Sequence, residues 1–151
     1  MIKYVFLILS FVAELLMLNY FSNSYLLPMF TVISIAMVYS LFKDKKKYNI
    51  VVIILSLFYG LIFLNNIFLG FLIFFIIKEF VFLMNRNINM NLFKFLILGI
   101  FCIVISDAIL YLFLLMPFYF IYFVYIVFNS LLVNVLFILV MYPIINFCSK
   151  W

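Results

Sequence analysis

A chain of 151 residues that is 73% hydrophobic and only 9% charged lies far outside soluble domains, which run near half apolar and a quarter charged. This length and composition describe an integral membrane protein of one domain, residues 1–151, with almost no mass outside the bilayer. The net charge of +5 does not indicate nucleic acid, because the basic residues stand at the ends of apolar segments rather than along a polar face; they orient the chain and meet anionic lipid. With no histidine in the chain, His-based catalysis and most metal sites are excluded. Cys102 falls inside a span and Cys148 beside the terminal lysine, so neither suggests a disulfide or a metal ligand. Runs such as Phe71 to Ile77 are apolar at every position, which argues for helices and against the alternating strands of a barrel.

About six transmembrane helices are expected, at residues 2–20, 25–42, 50–64, 67–84, 92–115 and 129–147. The first carries Lys3 and Glu14; Met1–Lys3 resembles a signal peptide start, but no small-residue cleavage site precedes Glu14, and the segment is read as a retained span. Ser24 is the expected N-cap of the second, with Pro28 in its first turn. Lys43, Asp44, Lys45, Lys46 and Lys47 form the only charge run and are read as a cytoplasmic loop. The third span, from Ile50, is short for a membrane-normal helix, and Asn65–Asn66 is the break before the fourth. Asn85 to Asn91 makes a second polar loop. The stretch from Met116 to Phe147 is too long for one unstrained span and short for two. The preferred reading puts Pro117–Phe128, crowded with Tyr and Phe, at the outer interface; a long tilted helix beginning near Phe118 is the alternative. With the lysine loop inside, all nine basic residues fall on the cytoplasmic side, Lys43, Lys45, Lys46, Lys47, Arg86 and Lys94 acting as topology and lipid anchors, and both termini are expected in the cytoplasm.

Glu14 and Asp107 are carboxylates within spans, each costing several kcal/mol unless it faces protein or water. Ser10 lies one turn from Glu14 and Ser106 beside Asp107. Such groups flag a functional site; the plainer reading is hydrogen-bonded packing between helices. Lys78 and Glu79 are read as interfacial. Asn134, one turn after Ser130, needs an interhelical partner. Gly60, Gly70 and Gly99 are close-packing positions, and Pro143 should end or kink the last helix. No nucleophile with a base, no acid–base pair and no ligand cluster is visible, so neither an enzyme nor a cofactor is expected.

The order of these features resembles the MreD family of the bacterial rod-shape system. The matching residues are Phe11–Val12–Ala13–Glu14–Leu15–Leu16, Pro28–Met29–Phe30 with Phe42–Lys43, Tyr59 through Gly70, Asp107, Ser130–Leu131–Leu132–Val133–Asn134 and Tyr142–Pro143. One departure is that Leu61 to Leu64 is wholly apolar where many family members carry an aspartate. The resemblance implies a non-enzymatic scaffold in the bacterial plasma membrane that binds MreC and acts, through it, with MreB and with RodA and its transpeptidase partner. Glu14, Pro28, Gly60, Gly70, Asp107, Asn134 and Pro143 would be the packing or partner-binding positions. The family's fold is also similar to the substrate-binding components of energy-coupling-factor vitamin transporters, so small-molecule transport is the alternative; its pocket would need the aromatic segment Pro117–Phe128.

Overall fold

The computed structural model describes residues 2–20, 28–42, 44–87, 91–114 and 120–149, without the side chains of residues 86, 87, 114, 120–122 and 149. Ser24, Lys43, Pro117–Tyr119, Lys150 and the Arg86 side chain therefore lie outside what is described. Six α-helices and one 3-10 turn follow in order: α1 Ile2–Tyr20, α2 Phe30–Val38 continued by the 3-10 turn Tyr39–Leu41, α3 Lys45–Ile62, α4 Ile67–Asn87, α5 Leu92–Leu114 and α6 Phe120–Ser149. The protein is an all-α membrane bundle, and α1, α4, α5 and α6 are each long and apolar enough to cross a bilayer.

The bundle is built around α2. All nine of its residues are buried, and it packs against α1, α4, α5 and α6. At 1.5 Å per residue it is only about 13 Å long, against a hydrocarbon thickness of about 30 Å. It is thus a half-length helix enclosed by full-length ones. Pro28 was expected inside its first turn. It instead lies before the N-cap residue Met29, whose N–H is accepted from outside the helix by Asn134 Oδ1 at 2.8 Å, so that the helix starts only at Phe30.

Three other boundaries differ from the sequence reading. The lysines Lys45–Lys47 belong to the first turn of α3, because Asp44 accepts from the Lys46 N–H at 2.8 Å and starts the helix there; this also restores the turn that the third span lacked. The last helix runs unbroken over 30 residues, so the long-helix alternative holds and the interfacial connector does not extend to Phe128; at about 45 Å it exceeds the hydrocarbon thickness and must tilt or protrude. Nor does Pro143 end it: the helix continues six residues further, with Pro143 exposed. Lys94, read as a lipid anchor, is 1% exposed. Its ammonium donates to Asn85 Oδ1 at 2.8 Å, and Asn91 caps the helix below it through the Lys94 N–H, which turns that face of α5 inward. Lys45, Lys46 and Lys47 are exposed as expected.

The helices α3 and α4 form a hairpin in which backbone meets backbone. Asn65 takes φ 49°, a left-handed conformation that asparagine tolerates, and the Asn66 N–H then reaches the Gly60 carbonyl at 2.8 Å. A Cβ on Gly70 would stand 2.5 Å from the Ser56 carbonyl oxygen and 2.8 Å from Gly60 Cα. At Gly99 a Cβ would meet only the end of the Ile138 side chain, which has rotamers to spare. Gly70→Ala should therefore force the hairpin apart and lower stability by about 1–3 kcal/mol, while Gly99→Ala should do less. Unfolding of both variants in detergent, followed by helical circular dichroism, measures the difference; equal losses would contradict the close-approach argument.

Candidate functional site

A helix that begins inside a bundle presents N–H groups with no intrahelical acceptor, and in a membrane each must find a protein partner. Met29, the N-cap, makes no side-chain cap of its own. Two other helices supply the acceptors. Glu14 of α1 accepts from the Thr31 N–H at 2.7 Å through Oε2, and Asn134 of α6 accepts from the Met29 N–H at 2.8 Å through Oδ1. The partial positive charge at a helix N-terminus favours a carboxylate there.

These positions follow from helix periodicity. On α1 the buried residues are Leu7, Ser10 and Glu14, spaced three and four apart, so they form one inward stripe. Antiparallel packing brings that stripe along α2: the Lys3 ammonium reaches the Leu41 carbonyl at 3.4 Å, Ser10 and Ser34 share a hydrogen bond of 2.6 Å, and Glu14 reaches Thr31. On α6, Asn134 donates back to the Ser130 carbonyl at 2.8 Å and to its hydroxyl at 3.1 Å, which holds the amide with its oxygen toward α2.

Two further helices join. Tyr59 of α3, in tilted ring contact with Phe63 and Phe74, donates its hydroxyl to Glu14 Oε1 at 2.8 Å. Asp107 of α5 is 2% exposed; neither of its oxygens makes a hydrogen bond of ordinary geometry, and the Ser130 hydroxyl is its looser polar neighbour. Tyr59, Glu14, Thr31, Met29, Asn134, Ser130 and Asp107 thus form one polar belt across α3, α1, α2, α6 and α5. Each of these seven residues is 4% exposed or less. Neither Glu14 nor Asp107 has a cationic partner among the described residues, where the one ion pair joins Lys78 to Glu79 at 2.9 Å.

Of the residues singled out from the sequence, Glu14 and Asn134 are brought together at the start of α2, Pro28 leads into it, and Asp107 adjoins through Ser130. Gly60 and Gly70 face each other in the α3–α4 hairpin, and Pro143 lies nine residues beyond Asn134 on an exposed face. Tyr59 was missed. Leu61 to Leu64 lacks the aspartate that many members of the resembled family carry, and Tyr59, one residue before Gly60, delivers a hydroxyl to Glu14 from the same helix. No sequence signal singles it out, because the chain holds 11 tyrosines. The arrangement is one of hydrogen-bonded closure: among the described residues no group of three potential metal ligands gathers. Comparison of the chain with protein-family models, with curated proteins and with solved structures finds no match.

The belt predicts an order of sensitivities. Asn134→Leu leaves the Met29 N–H buried without an acceptor and should cost about 1–3 kcal/mol. Glu14→Leu orphans both the Thr31 N–H and the Tyr59 hydroxyl and should cost more, whereas Glu14→Gln keeps one carbonyl acceptor and should cost less than Glu14→Leu. Asp107→Asn should be the mildest, because no ordinary hydrogen bond is lost. Denaturation of the four variants in detergent gives the ranking, and a more damaging Asp107→Asn than Asn134→Leu would break it.

Proposed function

We propose that this protein is a non-enzymatic membrane scaffold of the bacterial cell-elongation machinery, similar to the MreD family. In this reading it sits in the plasma membrane with both termini in the cytoplasm, holds MreC, and acts through that complex with MreB and with RodA and its transpeptidase partner. What supports the reading is the convergence of the residues that carry the resemblance: Glu14, Pro28, Asp107 and Asn134, spread over 120 residues of sequence, meet at the polar belt around the start of α2. Polar groups in a membrane bundle gather for hydrogen bonding in any case; the support lies in their being the positions that carry the resemblance. The aspartate expected in the third span has a stand-in, since Tyr59 brings a polar group from the same helix to Glu14.

The belt also weighs on the alternative of small-molecule transport. Both Glu14 oxygens and the Asn134 amide are engaged with the protein itself, which leaves a solute few groups to bind. A scaffold, in contrast, needs a rigid bundle with a broad lipid-facing surface. Helix α1 offers one: Val5, Ile8, Leu9, Val12 and Leu16 are all exposed, and a single-span partner would pack there by van der Waals contact and a few polar contacts worth roughly 0.5–2 kcal/mol each.

Three measurements test the proposal. The full-length protein should co-purify with MreC in detergent, and its depletion should round a rod-shaped cell; retention of a vitamin-like ligand with no MreC association would put the transport component in its place. For the topology, a cysteine at Asn66 in a Cys148→Ser background should react with an impermeant reagent from outside and one at Asn87 should not. Labelling at Asn87 alone would invert the chain.

A further inference from the structure

One end of the bundle carries a cavity of about 600 Å3 lined by Tyr39, Lys45, Glu79, Phe82, Leu83 and Asn85. It lies where the first turn of α3 meets the last turns of α4, with the 3-10 turn after α2 as its third wall. That is the level at which spanning helices leave hydrocarbon and meet headgroups. The lining is amphipathic. Leu83, 63% exposed, and the Phe82 ring are apolar, while the Tyr39 hydroxyl, the Asn85 amide and the Lys45 ammonium are polar.

The charge at this cavity is positive and partly uncompensated. Glu79 is held by Lys78 at 2.9 Å, so that pair largely cancels. Lys45, the other charged group of the lining, has no ion pair among the described residues. Its ammonium stands 6.0 Å from the centre of the Phe82 ring, and the Lys78 ammonium lies 5.8 Å from the same centre, so two cations flank one ring. Lys46 and Lys47 follow on the exposed surface; with Asp44, whose carboxylate already caps α3, the neighbourhood holds four lysines against two carboxylates. Behind the lining, Lys94 donates to Asn85 Oδ1 and the Asn85 amide donates to the Val81 carbonyl, which fixes that side chain in place.

The geometry points to this cavity as a binding site for the headgroup of an anionic phospholipid, with its phosphate against Lys45 and its glycerol and chains along Phe82 and Leu83. A phosphate supplies the negative charge that Lys45 lacks, and the acyl chains match the apolar side of the lining, where Leu83 is 63% exposed. Diffuse attraction of the lysine run to a charged bilayer would treat Lys45 and Lys47 alike. A built site does not, because Lys45 lines the cavity and Lys47 does not. The site is independent of the scaffold reading.

The test is lipid retention by the purified full-length protein, exchanged in detergent against phosphatidylglycerol or phosphatidylcholine and read by native mass spectrometry. The wild-type chain should retain phosphatidylglycerol in preference to phosphatidylcholine. Lys45→Gln should lower that retention about fivefold or more, while Lys47→Gln, at a residue that does not line the cavity, should lower it distinctly less. Glu79→Gln, which releases Lys78 from its pair, should raise retention, a gain that misfolding cannot imitate. Equal losses in Lys45→Gln and Lys47→Gln, no preference between the two lipids, a fall in Glu79→Gln, or displacement of the lipid by inorganic phosphate at equal concentration would each overturn the assignment.

Discussion

A helix that starts inside a membrane protein carries backbone donors that neither lipid nor its own first turn can satisfy. In this fold α2 is that helix, and two of its donors, the Thr31 and Met29 N–H groups, are taken by a carboxylate from α1 and an amide oxygen from α6. The consequence is architectural. α1 shows lipid most of its circumference and keeps its place through one stripe, Leu7, Ser10 and Glu14. α6 is the longest helix and contacts lipid over much of its length, yet it is locked in rotation by the need to aim Asn134 at Met29. Tyr59 then fixes the α3–α4 hairpin to the same point through Glu14. Pairwise contacts between apolar helices gain little in lipid, where tails are as apolar as leucine; a directional polar belt gives this bundle the specificity that apolar packing alone does not.

The two ends of the molecule answer different demands. Around the start of α2 the polar groups are buried, and Glu14 and Asn134 are hydrogen-bonded within the protein, so that they set helix positions. At the lysine-bearing end the polar groups are open: Lys45–Lys47 are exposed, Lys3 stands 4.2 Å from the centre of the Phe42 ring, and Tyr39, Tyr48 and Phe82 make an aromatic cluster beneath them. Aromatic rings under ammonium groups suit the membrane interface, since the ring bodies bury apolar surface while their negative faces attract cations.

Much of the fold was legible in the sequence because hydrophobic length alone marks membrane helices, and the first, fourth and fifth spans fall within a few residues of their expected ends. The failures have specific causes. Hydropathy does not distinguish an enclosed half-helix from a full span, so α2 was drawn too long; only Pro28 hinted at its late start. The lysine run was read as loop because charge was weighed above capping, although Asp44 stood in the N-cap position. The sixth helix was divided because its aromatic content suggested an interface, when length without Gly or a second proline favoured continuity. At the site, Glu14, Asp107 and Asn134 announced themselves as polar residues in apolar surroundings. Tyr59 and the Thr31 backbone did not, the first because tyrosine is common in this chain, the second because a backbone donor has no sequence signature at all.

The belt joins residues made at opposite ends of synthesis. Glu14 and Thr31 emerge early and meet within one helical hairpin, whereas Asn134 emerges only when the sixth helix leaves the ribosome. Until then the Met29 N–H has no acceptor, and the centre of the nascent bundle must hold an unfinished helix start in the membrane. A chain halted before α6 therefore lacks not merely a packing neighbour but the acceptor for a backbone donor at the core of the bundle.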